Sequence, residues 1–317
     1  MTHLITGVSG ALSMLVTEAL QQDGVQVVGA DVRPLPAGRA FPGEFQLVRH
    51  YGQRRMADVF RRHRPQTLIH LGRVRTAAVP SLAKRYNLNV LGTRSLLELA
   101  VQYGVKKVLV LSTYHVYGAH QHNHIMIRED EPLRATQIFP ELADAVELDH
   151  AATSFLWRYR RINTVVLRPC NIVGPSLNNL ISRLLRMRSA PRLLGYDPMM
   201  QFIHETDMAG AIVQAARGDR WGVYNVAGEG GVSYSHALRL AGALPVPVPH
   251  VLAYPLVGAL ARWRLVFPKH LMDYFRYPTI IDDSTFRSEL GWAPRLTSVE
   301  TLHSVSRGPA TQFVESA

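Results

Sequence analysis

From its first residue to Pro169 the chain repeats one pattern: a short apolar, β-branched run followed by a longer stretch with apolar residues at helical spacing. Leu4-Ile5-Thr6, Val25 to Val28 closing at Asp31, Thr67 to Leu71, Lys107 to Ser112 and Thr164 to Arg168 read as strands. The stretch up to about Gln22, Asn87 to Gln102 (with Leu91, Leu96, Leu97 and Leu99) and Asp144 to Arg160 read as helices. Strands alternating with helices join through right-handed crossovers, which predicts an α/β fold with a doubly wound parallel sheet of Rossmann type. Ligands of such sheets bind outside the carboxyl ends of the strands. After Pro169 the pattern loosens, with proline and glycine more frequent and short strand and helix signals mixed. Residues 1–168 are therefore expected to form the Rossmann-type domain. Residues 169–317 are expected to form mainly a smaller substrate domain, with about 201–228 returning to the first.

The length of 317 residues suits one large α/β unit or two domains at about 150 residues each. A single cysteine, Cys170, excludes an intramolecular disulfide and any multi-cysteine metal site. The opening residues read directly as a strand, without a basic and apolar leader, and no run of 18 apolar residues is present. The expected location is the cytoplasm. The net charge is +11, and between Arg49 and Lys107 there are 13 basic residues against only Asp58 and Glu98. A field of that sign attracts phosphates, acidic membrane surfaces or nucleic acid, but a solvated helix face has the same composition.

The turn after the first strand reads Thr6-Gly7-Val8-Ser9-Gly10-Ala11-Leu12-Ser13. Glycines between a strand and a helix let the backbone turn tightly and approach a pyrophosphate, which then rests on the helix N-terminus. Asp31 closes the second strand, where a carboxylate accepts hydrogen bonds from an adenosine ribose. That favours NAD over NADP, although Arg33 stands near enough to meet a 2′-phosphate.

Further segments occur in a characteristic order: His70-Leu71-Gly72, Asn89-Val-Leu-Gly-Thr93, Ser112-Thr113-Tyr114-His115-Val116-Tyr117-Gly118 and Leu167-Arg-Pro-Cys-Asn171-Ile-Val-Gly-Pro175. Gln201-Phe-Ile-His204-Glu-Thr-Asp207, Tyr224-Asn225-Val-Ala-Gly228 and Leu290-Gly-Trp-Ala-Pro294 follow. With the glycine turn, they make the chain resemble an extended short-chain dehydrogenase/reductase of the NAD-dependent epimerase/dehydratase type, similar to UDP-glucose 4-epimerase. Ser13 departs from it, standing where the third glycine is usual. The resemblance implies that Gly7, Ser9, Gly10, Ala11, Leu12, Asp31, Arg33, His70, Leu71, Gly72, Asn89, Ser112 and Pro169 line NAD. It places Tyr117, Asn171 and His204 at the substrate, and makes Thr113 the hydroxyl that polarises the substrate carbonyl.

The family's chemistry rests on a Tyr-x-x-x-Lys pair on the helix after Gly118. No lysine lies between Lys107 and Lys269, and the sole tyrosine between Gly118 and Arg168 is Tyr159, at the wrong end of its helix. Ala145 falls at the tyrosine position and Asp149 at the lysine position. Asp149 is then either a substitute base or the cap of a polar pocket, and it is the catalytic candidate beside Thr113. Tyr103-Gly-Val-Lys-Lys107 matches the string but enters the amino end of a strand, opposite the ligand side.

Three other features carry less. His120, His122 and His124 alternate in a loop, but spacing alone gives no ligand set, and no metal is expected. Cys170 reads as a buried small hydrophobe. Residues 257–271 combine Trp263 and Phe267 with Arg262, Arg264 and Lys269, which suits either a core-facing segment or peripheral membrane contact. The leading function is nicotinamide redox chemistry on a nucleotide-sugar or a similar anionic or lipid-like small molecule, in a protein that could form a homodimer. The alternatives are a catalytically degenerate dinucleotide-binding sensor or scaffold and, less favoured, a nucleic-acid or membrane-surface binder.

Overall fold

A computed structural model of the chain describes residues 1–74, 81–249 and 269–306. Seven parallel strands form the central sheet: β1 (Thr2–Thr6), β2 (Gln26–Asp31), β3 (Glu44–Leu47), β4 (Thr67–His70), β5 (Lys107–Leu111), β6 (Asn163–Pro169) and a later strand, Gly222–Val226. The spatial order is β3, β2, β1, β4, β5, β6 and then Gly222–Val226. The chain reverses direction across the sheet between β1 and β4, whose residues Thr6 and His70 lie side by side. That reversal opens the crevice in which doubly wound sheets bind ligands.

Helices cover both faces. On one face α1 (Ala11–Gln22) packs against the helix Glu205–Arg217. On the other lie α2 (Arg54–His63), α3 (Leu82–Tyr86), α4 (Gly92–Gln102) and the long helix Ala143–Arg158. The strands carry little alternation because both faces are buried: Leu4 and Ile5, Leu68 and Ile69, and Val165 to Leu167 are all inaccessible. The carboxyl-terminal half adds three two-stranded sheets and a separate apolar core around Phe202, Tyr234 and Leu302.

The basic excess between Arg49 and Lys107 does not form one exposed field. Arg61 and Arg62 of α2 project into solvent, whereas Arg85 and Lys107 are buried, the Lys107 ammonium donating to the Gly218 carbonyl. Among the described residues no helix is long and apolar enough to cross a membrane. The stretch expected to contact membranes, 257–271, lies almost wholly outside the described residues. Cys170 is buried and its thiol is pushed up to about 12 by burial, which makes it inert at neutral pH. His120 and His122 stack at 5.1 Å between ring centroids while His124 leans on Glu131. No group of three potential metal ligands is gathered among the described residues.

A buried polar chain crosses the sheet. His70 is hydrogen-bonded to Thr6 Oγ1 (2.6 Å) and Thr93 Oγ1 (2.8 Å), and Thr93 donates to the Asn89 carbonyl. Burial lowers the His70 pKa to about 4, so the native protein holds it neutral where the unfolded chain, near 6.5, takes up a proton. Stability is therefore present in full above pH 6.5 and is lost as pH falls through that window towards 4. His70 alone contributes a slope of up to roughly 1.4 kcal/mol per pH unit. Urea unfolding between pH 7 and 4.5 should show it, and His70→Asn, though less stable at pH 7, should give a flatter profile. An unchanged slope would assign the acid sensitivity to other groups, such as the similarly lowered His3.

Candidate active site

The site begins where β1 turns into α1. Gly7 has φ +83°, and a Cβ there would lie 2.5 Å from both Cα and N of Gly72, so the first turn and the end of β4 touch through two glycines. Leu71 N donates to the Thr6 carbonyl and Gly7 N to the Ala30 carbonyl, which lock the crossing. Ser13, in place of a third glycine, donates from Oγ to the carbonyls of Gly7 (2.6 Å) and Gly10 (2.9 Å). The departure at Ser13 thus ties the turn together rather than opening it. Ala11 and Leu12 start the helix, which has no side-chain cap at Gly10. Its first N–H groups and the positive end of its dipole are available to an anion.

Asp31 is almost fully buried at the end of β2. Its Oδ2 accepts from Ser9 N (2.8 Å) and its Oδ1 from Arg33 N (2.9 Å), while the exposed Arg33 side chain passes 3.7 Å away. Each carboxylate oxygen keeps a second lone pair for a hydroxyl donor. Tyr51 rises behind Gly72, where a Cβ would lie 2.4 Å from its hydroxyl. Tyr51 Oη is buried beside Gly7, Thr6 and Asp31 without a well-formed hydrogen bond. Asp31, Arg33, Tyr51, Gly72, Arg73 and Val74 line one cleft. A glycine-only approach, a helix N-terminus, a buried carboxylate and an orphaned buried hydroxyl fit an adenosine diphosphate group.

The expected contacts of His70 and Asn89 take a different form. The His70 ring is turned into the interior chain described above, and its neighbours Leu71 and Gly72 face the turn through their backbone. Asn89 lies in a π-helical turn, Asn87–Leu91, of the kind common at functional sites. Its amide is consumed: Oδ1 accepts from Val74 N, and Nδ2 donates to the Val74 carbonyl and to Asp144 Oδ2. Asn89 therefore holds the chain beyond β4 in place at the lining of the same cleft, with one acceptor position of Oδ1 left over. Buried Arg85 stands 3.6 Å from the same Asp144 carboxylate. Arg73 completes this group, its Nε buried without a hydrogen-bond partner and its pKa lowered by desolvation, opposed by Asp144. Two guanidiniums face one carboxylate, which leaves positive charge beside the cleft.

At the end of β5, of the two expectations for Asp149, the polar network rather than a free base is what surrounds it. Asp149 is 0% exposed; Arg168 donates to it twice, Nε to Oδ2 at 2.9 Å and Nη2 to Oδ1 at 2.7 Å, and Ser112 Oγ donates to Oδ2 at 2.5 Å. A carboxylate held this way is a buried ion-pair member and offers no base to a ligand. Ser112 is committed with it. Tyr117, expected at the substrate, belongs to the same network: its hydroxyl donates to Asn225 Oδ1 (2.8 Å) and accepts from Arg168 Nη1 (2.9 Å). Burial pushes that phenol up to about 12 against the pull of Arg168. His204, also expected at the substrate, caps the helix Glu205–Arg217, its Nδ1 meeting Thr206 Oγ1 at 2.6 Å. Pro169 ends β6 opposite Val226 and has no polar side chain to offer. Asn171 is half-buried, accepting from Tyr114 Oη and donating to the Gln201 carbonyl.

Thr113 remains at the carboxyl end of the sheet, half-buried. Its Oγ1 lies 2.9 Å from His115 Nδ1 and also accepts from His115 N, capping the short helical turn Tyr114–Tyr117. The His115 ring is flanked by Tyr114 (centroids 4.2 Å apart) and Tyr274 (4.6 Å), and the Tyr274 hydroxyl donates to the His115 carbonyl at 2.6 Å. Tyr51, Arg73, His115 and Tyr274 were not among the expected site residues. His115 lies inside a quoted motif and Arg73 directly after one, so those two were within reach of the motif reading.

This architecture defines a Rossmann protein with a dinucleotide-type cradle at the switch point and a hydroxyl-bearing strand end beside it. Residues 3–227 match the NAD dependent epimerase/dehydratase family, and the chain belongs to that family. It is 30% identical over 264 residues to an uncharacterised Mycobacterium tuberculosis protein, an alignment covering 80% of this chain and 68% of that protein. It is 24% identical to the UDP-glucose 4-epimerase of Halalkalibacterium halodurans, over 95% of this chain and 93% of that enzyme. Among solved structures, the fold is similar to Thermotoga maritima UDP-glucose 4-epimerase with UDP-glucose, with TM-score 0.76, 22% identity and 97% and 98% coverage of the two chains. The dTDP-glucose 4,6-dehydratase of Bacillus anthracis in complex with NAD gives TM-score 0.74 at 18% identity, covering 97% and 96%.

Proposed function

We propose that this protein binds NAD along the cradle from Asp31 to Thr113 and uses it for reversible oxidation of a secondary alcohol on a nucleotide sugar. The observation that carries the proposal is the Gly7–Gly72 contact with Asp31 and the Tyr51 hydroxyl beside it, because a side chain at either glycine would meet backbone or that hydroxyl, which keeps backbone and polar groups gathered at the edge of the Asp31 cleft. Membership of the family and the relatives named above support the substrate class. The nicotinamide supplies hydride chemistry when bound; the chain's own part is to orient the sugar hydroxyl at Thr113 and to handle its proton. Arg73 offers an anionic ligand the positive charge that a lysine on the helix Ala143–Arg158 would otherwise bring.

NAD should raise the melting temperature, since a ligand of the folded state at 100 times its Kd stabilises by about 2.7 kcal/mol. NADP should shift it less, because the buried Asp31 carboxylate repels a 2′-phosphate. Unchanged melting with both dinucleotides at millimolar concentration would remove the proposal, and the reverse order would assign the ribose contact to Arg33. The second reading, a dinucleotide-binding sensor without turnover, draws on the buried ion pair that stands at the expected lysine position. Clear NAD binding with neither interconversion of UDP-glucose and UDP-galactose, nor conversion of dTDP-glucose, nor NADH formation would favour it.

A further inference from the structure

We infer that His115 is the proton acceptor behind Thr113, so that Thr113 and His115 together take the place of the Tyr-x-x-x-Lys pair. The inference rests on the dinucleotide-binding reading above. Four observations meet at this pair. Thr113 Oγ1 and His115 Nδ1 are within hydrogen-bond distance at 2.9 Å. Both residues are only half-buried, at the end of β5 that faces the crevice. The imidazole is held edge and face by two tyrosine rings, and its backbone carbonyl is fixed by Tyr274 Oη. The other candidate base on this side, Asp149, is consumed by Arg168 and Ser112.

As the C–H hydrogen leaves the substrate carbon as hydride to the oxidised nicotinamide, the hydroxyl proton passes to Thr113 Oγ1. The proton already on Thr113 passes to His115 Nδ1. A carbonyl forms, the dinucleotide gains two electrons, and His115 ends as imidazolium; the reverse reduction returns the same proton. An imidazole titrates between pH 5 and 8 in ordinary surroundings, which suits a base working near neutrality. A threonine hydroxyl alone has no such range. Among the described residues, titratable groups around the ring include Tyr114 and Tyr274, with Cys170 behind the first and Arg73 and Asp273 behind the second.

A test independent of the sugar uses the charge difference between the two forms of the cofactor. The oxidised nicotinamide is cationic and disfavours a protonated His115; the reduced ring is neutral. By reciprocal linkage the ratio of NAD+ to NADH affinity should fall as pH drops from 8.5 to 5.5, by about tenfold for a one-unit difference in the His115 pKa. His115→Asn should abolish the pH dependence while keeping the NAD-induced melting shift. Where Asn loosens the aromatic stack, His115→Phe serves the same purpose. In ¹⁵N-histidine NMR of the native protein, Thr113→Val should move the His115 Nδ1 resonance and Thr113→Ser should restore it. A pH-independent ratio in the native protein, a dependence that survives in both His115 variants, or a resonance indifferent to Thr113→Val would each overturn the assignment. A native protein that binds neither dinucleotide overturns the dinucleotide reading and this assignment with it.

Discussion

Asp149→Asn should cost about 3–5 kcal/mol of folding stability, because removing one member of a buried ion pair leaves the other charge without compensation. Arg168 is buried and its pKa is raised by the Asp149 carboxylate and by Tyr117, against the opposing effect of burial; the native fold holds it charged. With the carboxylate charge gone, the guanidinium keeps the Tyr117 hydroxyl, the Glu129 carbonyl and the new amide oxygen, all of them neutral. Arg168→Met should be similarly severe. The double variant, Asp149→Leu with Arg168→Met, should recover much of the loss, since an apolar pair of similar volume is often neutral or stabilising. The check is a double-mutant cycle in urea, with a coupling of about 2 kcal/mol or more expected for groups in direct contact. Additive losses would mean that the pair is less coupled than its geometry. NAD binding should persist in the double variant, because neither residue faces the cleft.

Gly7→Ala should abolish the NAD-induced melting shift and cost about 2–4 kcal/mol, in the range of substitutions that force buried backbone to move. Two penalties combine: a side chain at φ +83°, and a Cβ 2.5 Å from the backbone of Gly72. Since Gly72 also touches Tyr51, the displacement should travel from the turn into the Asp31 end of the cleft. Gly24→Ala supplies the control. Its φ is +73°, yet nothing lies within 4 Å of the added carbon, so it should cost only the conformational penalty of about 1 kcal/mol and leave NAD binding intact. Equal losses at the two positions would show that contact with Gly72 does not matter.

The contrast between these positions shows what a sequence makes legible. Gly7 and Asp31 could be read because their roles are local: a turn between a strand and a helix, and an acid at the next strand end. The parallel sheet was readable for the same reason, from strands buried on both faces in alternation with helices. Asp149 could be read only as either a base or the cap of a polar pocket, because its position along a helix says nothing of what opposes it. Its partner, Arg168, sits in a β-strand and looked like an ordinary strand-terminal cation. Tyr117 and His204 were drawn by motif position to the substrate, but the first is claimed by Asn225 and Arg168 and the second by its own helix. His115 stands inside a recognised segment, yet its orientation depends on Tyr274, 159 residues further on.

The docking of Gly222–Val226 beside β6 has a consequence for biosynthesis. As the polypeptide leaves the ribosome, β6 emerges with an open flank, and the groups that later occupy it are still being translated. Asn225 must arrive before the Tyr117 hydroxyl finds its acceptor, and with it come the ties to the Ile127 and Asp282 carbonyls. The nascent amino-terminal half therefore exposes an unpaired strand edge beside an incomplete polar network, a state that invites wrong pairing between neighbouring chains. The sheet cannot be completed until Gly222–Val226 has been synthesised, more than fifty residues after β6, and until then the flank of β6 is an open edge.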